Sequence, residues 1–280
     1  MCMSKIIYSK PVLSYLTQLT MLKASGMSFD NEDKALHLLE KIGYHRLSGY
    51  WYPLLGDKQN HVFKQGVNFE TAFNLYKFDR ELRKITVAEI EKIEIAIRAK
   101  MAHELSLAFN PFWIEDVNLF FSTANFKITL DKIGEEYLRS NEDFILSFKS
   151  KYANPLPPAD IILEITSFGT LSRLYSNLKS CKAKRDIAKS FALPDVVFDS
   201  WLHSLACVRN MCAHHVRLWN ILLKIQPLLP RKPQNTWLAD NTVSNNRVYY
   251  ILSMIIYLLN TINPNHSFKQ KTRNPFLQIS

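Results

Sequence analysis

The sequence is short of glycine, with 7 in 280 residues, and few turn dipeptides interrupt it. A many-stranded sandwich or barrel needs many tight turns, so that class is excluded. Only four cysteines occur, Cys2, Cys181, Cys207 and Cys212, without the spacing of a disulfide framework. A reducing cytosol is therefore the expected compartment. No signal peptide is read in MCMSKIIYSKPVLSYL, which lacks a long apolar core and a small-residue cleavage site. The most apolar run, Val248–Leu259, falls far short of the ~20 residues that cross a bilayer and is expected to be a buried helix. No Gly-rich phosphate loop, Gly-x-Ser-x-Gly or His-Glu-x-x-His occurs, which excludes a nucleotide-driven motor and a metalloprotease.

What the sequence has is apolar mass and positive charge. Hydrophobic residues make up 47% and aromatics 12%, enough for a large core. Lys+Arg 35 against Asp+Glu 25 leaves a net charge of +10, which favours polyanions and makes nucleic acid the natural partner; no membrane partner is expected. Helical periodicity dominates. Ala35, Leu38, Leu39 and Ile42 recur at helical steps until Gly43, and residues 56–68 read as a loop or short hairpin. From Phe69 to Phe109 no proline or glycine occurs, and Val87, Ile90, Ile93, Ile97 and Met101 form one apolar stripe; Asn110-Pro111 ends it. Helical spacing continues over 126–152, over 159–178 with an interruption at Gly169, over 195–225 and over 246–260. The tail from Asn263 is polar and basic and is expected to fray. The fold class is all-α, organised as an N-terminal helical segment (1–66), a helical core (67–226) and a C-terminal helix with its tail (227–280).

The stretch from Val208 to Asn220 carries the chemistry. On a helical wheel with Arg209 at zero, Arg217, Asn210 and His214 fall at roughly 80°, 100° and 140°, opposite an apolar arc. His215 falls near 240°, inside that arc, so geometry prefers His214 although the spacing from Arg209 fits both. Histidine exchanges protons near neutrality and arginine grips two phosphate oxygens. Those parts suit RNA cleavage by its own 2′-hydroxyl: a base takes the hydroxyl proton, a cation stabilises the phosphorane and an acid protonates the leaving 5′-oxygen. One face offers one histidine, so two copies across a two-fold axis supply base and acid. The same residue types also arise in helical proteins as a solvated arginine and a satisfied core histidine.

The segment Arg209–Asn220 resembles the signature of the Abi-like (AbiD/AbiF) proteins of bacterial abortive-infection systems, a branch of the HEPN superfamily. Tyr44–Trp51, Leu75–Arg83 and Ile93–Arg98 match in order, and Thr166–Ser172 matches more weakly, so the resemblance spans roughly residues 15–225. It implies a HEPN-type helical bundle with additional N-terminal helices and a C-terminal helix. Arg209, Asn210 and His214 are then the catalytic set of a metal-independent endoribonuclease with a composite site in a homodimer. It further implies a toxin-like role in phage defence and association with a small non-coding RNA. Arg217, Lys182, Lys184 and Arg185 are expected RNA contacts.

The alternative is a non-catalytic protein that holds a structured small RNA. A DNA-binding regulator lacks a helix-turn-helix. Neither a cofactor nor a metal is expected: Cys207, Cys212, His214 and His215 do not follow a zinc spacing. The aromatics of Tyr44–Tyr52 can stack bases but at helical steps are more often core, and Arg46, Arg80 and Arg83 can track phosphates or form a solvated face. Glu94 and Arg98 are spaced to pair one turn apart on the long helix.

Overall fold

The computed structural model describes residues 7–238 and 242–270. Within them the chain is built from α-helices, and the two short strands Leu55–Asp57 and Val62–Phe63 form a hairpin where the glycine-bearing polar stretch predicts one. The chain separates into two compact units, one running to Glu81 and one from Leu82.

In the first unit, α1 (Tyr15–Ala24) and α2 (Glu32–Ile42) begin on side-chain caps. Ser14 Oγ accepts from the Thr17 N–H and Asn31 Oδ1 from the Lys34 N–H. Gly43, at φ +92°, separates α2 from α3 (Tyr44–Trp51) in a backbone conformation that side-chain-bearing residues rarely adopt. The aromatic segment is core at Tyr50 and Trp51, which are buried, and Tyr44 meets Trp51 edge-on at 5.1 Å, whereas Tyr52 is exposed. The 40-residue helix α4 (Phe69–Ala108) starts in this unit, where Phe69 stacks on Phe29 and Tyr76 meets Tyr50. These contacts put the boundary inside α4, at Glu81, rather than at residue 66. Tyr50 Oη donates to buried Asp79 Oδ2 at 2.6 Å.

The second unit holds the rest of α4 with α5 (Thr123–Arg139), α6 (Asp143–Lys151), α7 (Ala159–Ile165), α8 (Phe168–Asn177), α9 (Lys182–Ser190), α10 (Asp195–Ala213) and α11 (Val248–Ile262). α10 packs on α8, α9 and α11, and its Phe198 and Trp201 sit among Tyr175, Phe191 and Tyr257. The α4 stripe is buried as expected at Ile90, Ile93, Ile97 and Met101.

Four expectations need correction. The 126–152 stretch breaks after Arg139 into α5 and α6. The 159–178 helix breaks at Thr166-Ser167, where Ser167 caps α8, so Gly169 lies inside a helix. The 195–225 helix ends at Ala213, for a reason given below. The start of the basic tail is docked: Phe268 is buried and His266 Nε2 meets Asn260 Oδ1 at 2.9 Å. Tail residues beyond 270 lie outside the described residues. Among the described residues no helix is long and apolar enough to cross a membrane.

Candidate functional site

α10 stops in a Schellman motif. The Val216 N–H donates to the Met211 carbonyl at 2.8 Å and the His215 N–H to the Cys212 carbonyl at 3.1 Å. His215 occupies the left-handed position, φ 57°, where glycine is usual and histidine is tolerated. The helical wheel therefore ends at His214, and the register assigned to Arg217 does not exist. His215 is exposed rather than core, and Arg217 lies half-buried beyond the helix. Arg209, Asn210 and His214 do share the last turns of α10, and His214 is exposed at its exit.

Arg209 is anchored from below. Its Nε lies 3.8 Å from Glu94 Oε2, and its Nη1 donates to Asn210 Oδ1 at 3.3 Å. Glu94 is only 9% exposed, and its other oxygen accepts from Arg98 Nη2 at 2.7 Å. Arg98, equally buried, donates through Nη1 to the Thr166 carbonyl at 2.8 Å. A continuous polar chain thus runs from the α7–α8 break through α4 to the exposed end of α10. Its chemical sense is directional. A buried carboxylate shared by two guanidiniums fixes Arg209 from one side, and about 38% of the Arg209 side chain remains open to an anion. Asn210 contacts Arg209 through its amide oxygen, and its backbone carbonyl accepts from the His214 N–H at 2.9 Å.

Sequence reasoning paired Glu94 with Arg98 but did not connect either to Arg209 or Thr166. The signal was present, because all four lie in segments singled out along the sequence.

The expected phosphate contacts divide. Lys182 and Arg185 are exposed on α9, and Arg185 Nη1 donates to Ser180 Oγ. Lys184 faces inward, which corrects its assignment as an RNA contact. Its Nζ donates to the Leu178 carbonyl at 2.8 Å and lies 5.0 Å from the Tyr175 ring, and burial lowers its pKa. It satisfies carbonyls at the end of α8, so its ammonium is already used. Arg83 is buried, and Arg80 pairs with Glu81, so neither presents a free phosphate-tracking face. Among the described residues no group of three or more His, Cys, Asp or Glu side chains is arranged to hold a metal ion. Cys212 is buried and burial pushes the Cys207 thiol up.

The family model described as Abi-like protein matches residues 37–220. The chain belongs to the Abi-like family. The match covers the polar chain from Glu94 to Asn210 and ends just beyond the Schellman turn, so the Abi-like region includes every residue of the site just described. No curated protein and no solved structure matches this Abi-like chain.

Proposed function

We propose that this chain is a HEPN-type, metal-independent endoribonuclease, the toxic effector of an abortive-infection system. The observation that carries the reading is the anchored Arg209 beside the exposed His214 at the end of α10. Arg209, held by Glu94, clamps the scissile phosphate and stabilises the charge of the phosphorane. His214 takes the 2′-hydroxyl proton, the 2′-oxygen attacks phosphorus, and His214 of a second copy protonates the departing 5′-oxygen. Asn210 positions the Arg209 guanidinium through its amide oxygen. The site is complete only in a homodimer, and the +10 charge suits both a substrate RNA and a stably bound small non-coding RNA.

The test is cleavage of a defined RNA by purified protein in the presence of EDTA, followed by end analysis. The reading expects 2′,3′-cyclic phosphate and 5′-hydroxyl ends, and no cleavage by His214→Ala. Cleavage abolished by EDTA, or ends of the opposite polarity, would sink it. RNA that is bound tightly and left intact would make the chain a holder of RNA instead. Sequencing RNA that co-purifies from the native locus tests the small-RNA association: a discrete species is expected, and a smear counts against it.

A further inference from the structure

A second polar surface lies at the other end of α10. Phe120 and Leu178 form an antiparallel bridge between the segment before α5 and the segment after α8. The Phe121 N–H donates to the Asn177 carbonyl and the Lys179 N–H to the Leu119 carbonyl, both at 2.8 Å. The Asn177 side chain locks this seam. Its Oδ1 accepts from the Ser122 N–H and its Nδ2 donates to the Ser122 carbonyl, both at 2.9 Å. The seam borders a groove of about 820 Å³, lined from α5, α8 and their flanking segments.

The lining has a defined chemistry. Lys132, Arg173 and Lys179 converge on it from three elements, and no carboxylate lines it. Lys132 and Arg173 have no ion-pair partner among the described residues. Lys179 Nζ donates to the Asn118 carbonyl at 2.8 Å and keeps two further N–H donors. An acid lies beside the lining: Asp199 of α10 accepts from the Ser176 hydroxyl at 3.2 Å. Phe121, 85% exposed, and Ile128 add apolar surface to the lining. Unpaired cations spread along a groove with an open aromatic ring are the parts that hold a single strand, phosphates on the cations and a base on the ring. Ser122, Asn125 and Ser180 supply hydroxyl and amide groups for a 2′-hydroxyl.

We propose that this groove is a second RNA contact that binds a single-stranded segment. Phe121 stacks on a base, and Lys132, Arg173 and Lys179 engage successive phosphates. Asp199 and His214 lie on one helix, separated by roughly 20 Å at about 1.5 Å per residue. A strand anchored in the groove can therefore extend several nucleotides toward His214. The choice of RNA rests on the function proposed above; the groove itself is independent of cleavage.

The experiment uses the full chain and a fluorescent single-stranded RNA, with affinity read by anisotropy across a salt series. His214→Ala serves as the non-cleaving reference. Against it, adding Phe121→Ala is expected to weaken binding about tenfold. Adding Lys132→Glu with Arg173→Glu is expected to weaken it further and to reduce the salt slope by about 1.4. Thermal denaturation confirms that the variants fold. Unchanged affinity and slope in both groove variants overturns the proposal, as does protection of the groove by a free mononucleotide but not by the strand. Groove variants that lose binding while the wild-type chain fails to cleave leave the groove standing and remove the nuclease. Groove variants that keep full RNA affinity while the wild-type chain cleaves do the reverse. A wild-type chain that binds no RNA overturns both.

Discussion

Glu94 serves two arginines at once, with Oε1 2.7 Å from Arg98 Nη2 and Oε2 3.8 Å from Arg209 Nε. The two contacts differ in kind. Arg98 is buried and gains its second bond from the Thr166 carbonyl, so it ties α4 to the α7–α8 break. Arg209 is partly open, so its share of the carboxylate sets its direction rather than the stability of the fold. Glu94→Gln keeps the side-chain shape and removes the charge that both cations need. Breaking a buried pair costs about 3 kcal/mol, or roughly 10 °C in Tm for a unit of this size. The expected result is that loss together with at least tenfold slower RNA cleavage at temperatures where the variant is folded. A variant with lowered Tm and normal cleavage would make Glu94 a structural residue alone.

The basic segment from Lys179 to Lys189 separates into exposed and structural cations. Lys184→Met leaves carbonyls at the end of α8 without their donor and is expected to cost about 1–3 kcal/mol. RNA affinity should not change, because that ammonium faces the Tyr175 ring and not solvent. Lys182→Ala with Arg185→Ala should do the opposite. Stability should hold within about 0.5 kcal/mol, while the salt slope of RNA binding falls by about 2 if both contact phosphate. Equal effects of the two variants on binding would contradict the inward placement of Lys184.

The contrast at Lys184 shows what the sequence carries and what it hides. Periodicity predicted the all-α class, the long α4 and its buried stripe, because a proline-free and glycine-free run leaves helix as the consistent solution. It did not reveal that Lys184 points inward. That depends on the unsatisfied carbonyls at the end of α8, which only the packed chain brings within reach. The same limit applies at Ala213. Apolar spacing continues to Ile225, but His215 takes the left-handed position, a choice made by the turn and invisible to a hydrophobic wheel. Arg209 and His214 were legible because they lie before that turn; the link to Glu94 was not, since it joins residues far apart in sequence.

Asp199 and Lys184 attract one another, yet burial outweighs that attraction at both and disfavours their charges. Burial lifts the Asp199 carboxyl above its ordinary 3.8 and lowers the Lys184 ammonium below its ordinary 10.5. For Asp199 the folded chain holds the proton more tightly than the unfolded chain. Its contribution to stability is therefore fully present below pH 3.8 and is lost as pH rises through the raised value. For Lys184 the unfolded chain holds the proton more tightly, so stability recovers as pH climbs from the lowered value toward 10.5. Asp199→Asn abolishes the first effect and leaves an acceptor for Ser176. The Tm of the wild-type chain relative to Asp199→Asn should fall as pH is raised from 3.8 toward neutrality. Parallel Tm curves over that range would show that burial does not control this carboxyl.

His214 and His215 are adjacent, both exposed, and separable by what each backbone does. The His214 N–H donates to the Asn210 carbonyl, a bond that any residue except proline preserves. His214→Ala is therefore expected to keep stability within about 0.5 kcal/mol of the wild type while slowing cleavage at least a hundredfold, the scale of a lost general acid or base. His215→Ala places another side-chain-bearing residue in the same left-handed conformation and keeps the Schellman bonds, so the end of α10 should be retained. Cleavage by His215→Ala should stay within about threefold of wild type, far less than the loss expected for an acid or base. Measuring both variants on one RNA, with circular dichroism to confirm the fold, decides the assignment. If His215→Ala alone is inactive, the catalytic imidazole belongs to the turn and not to the last residue before it.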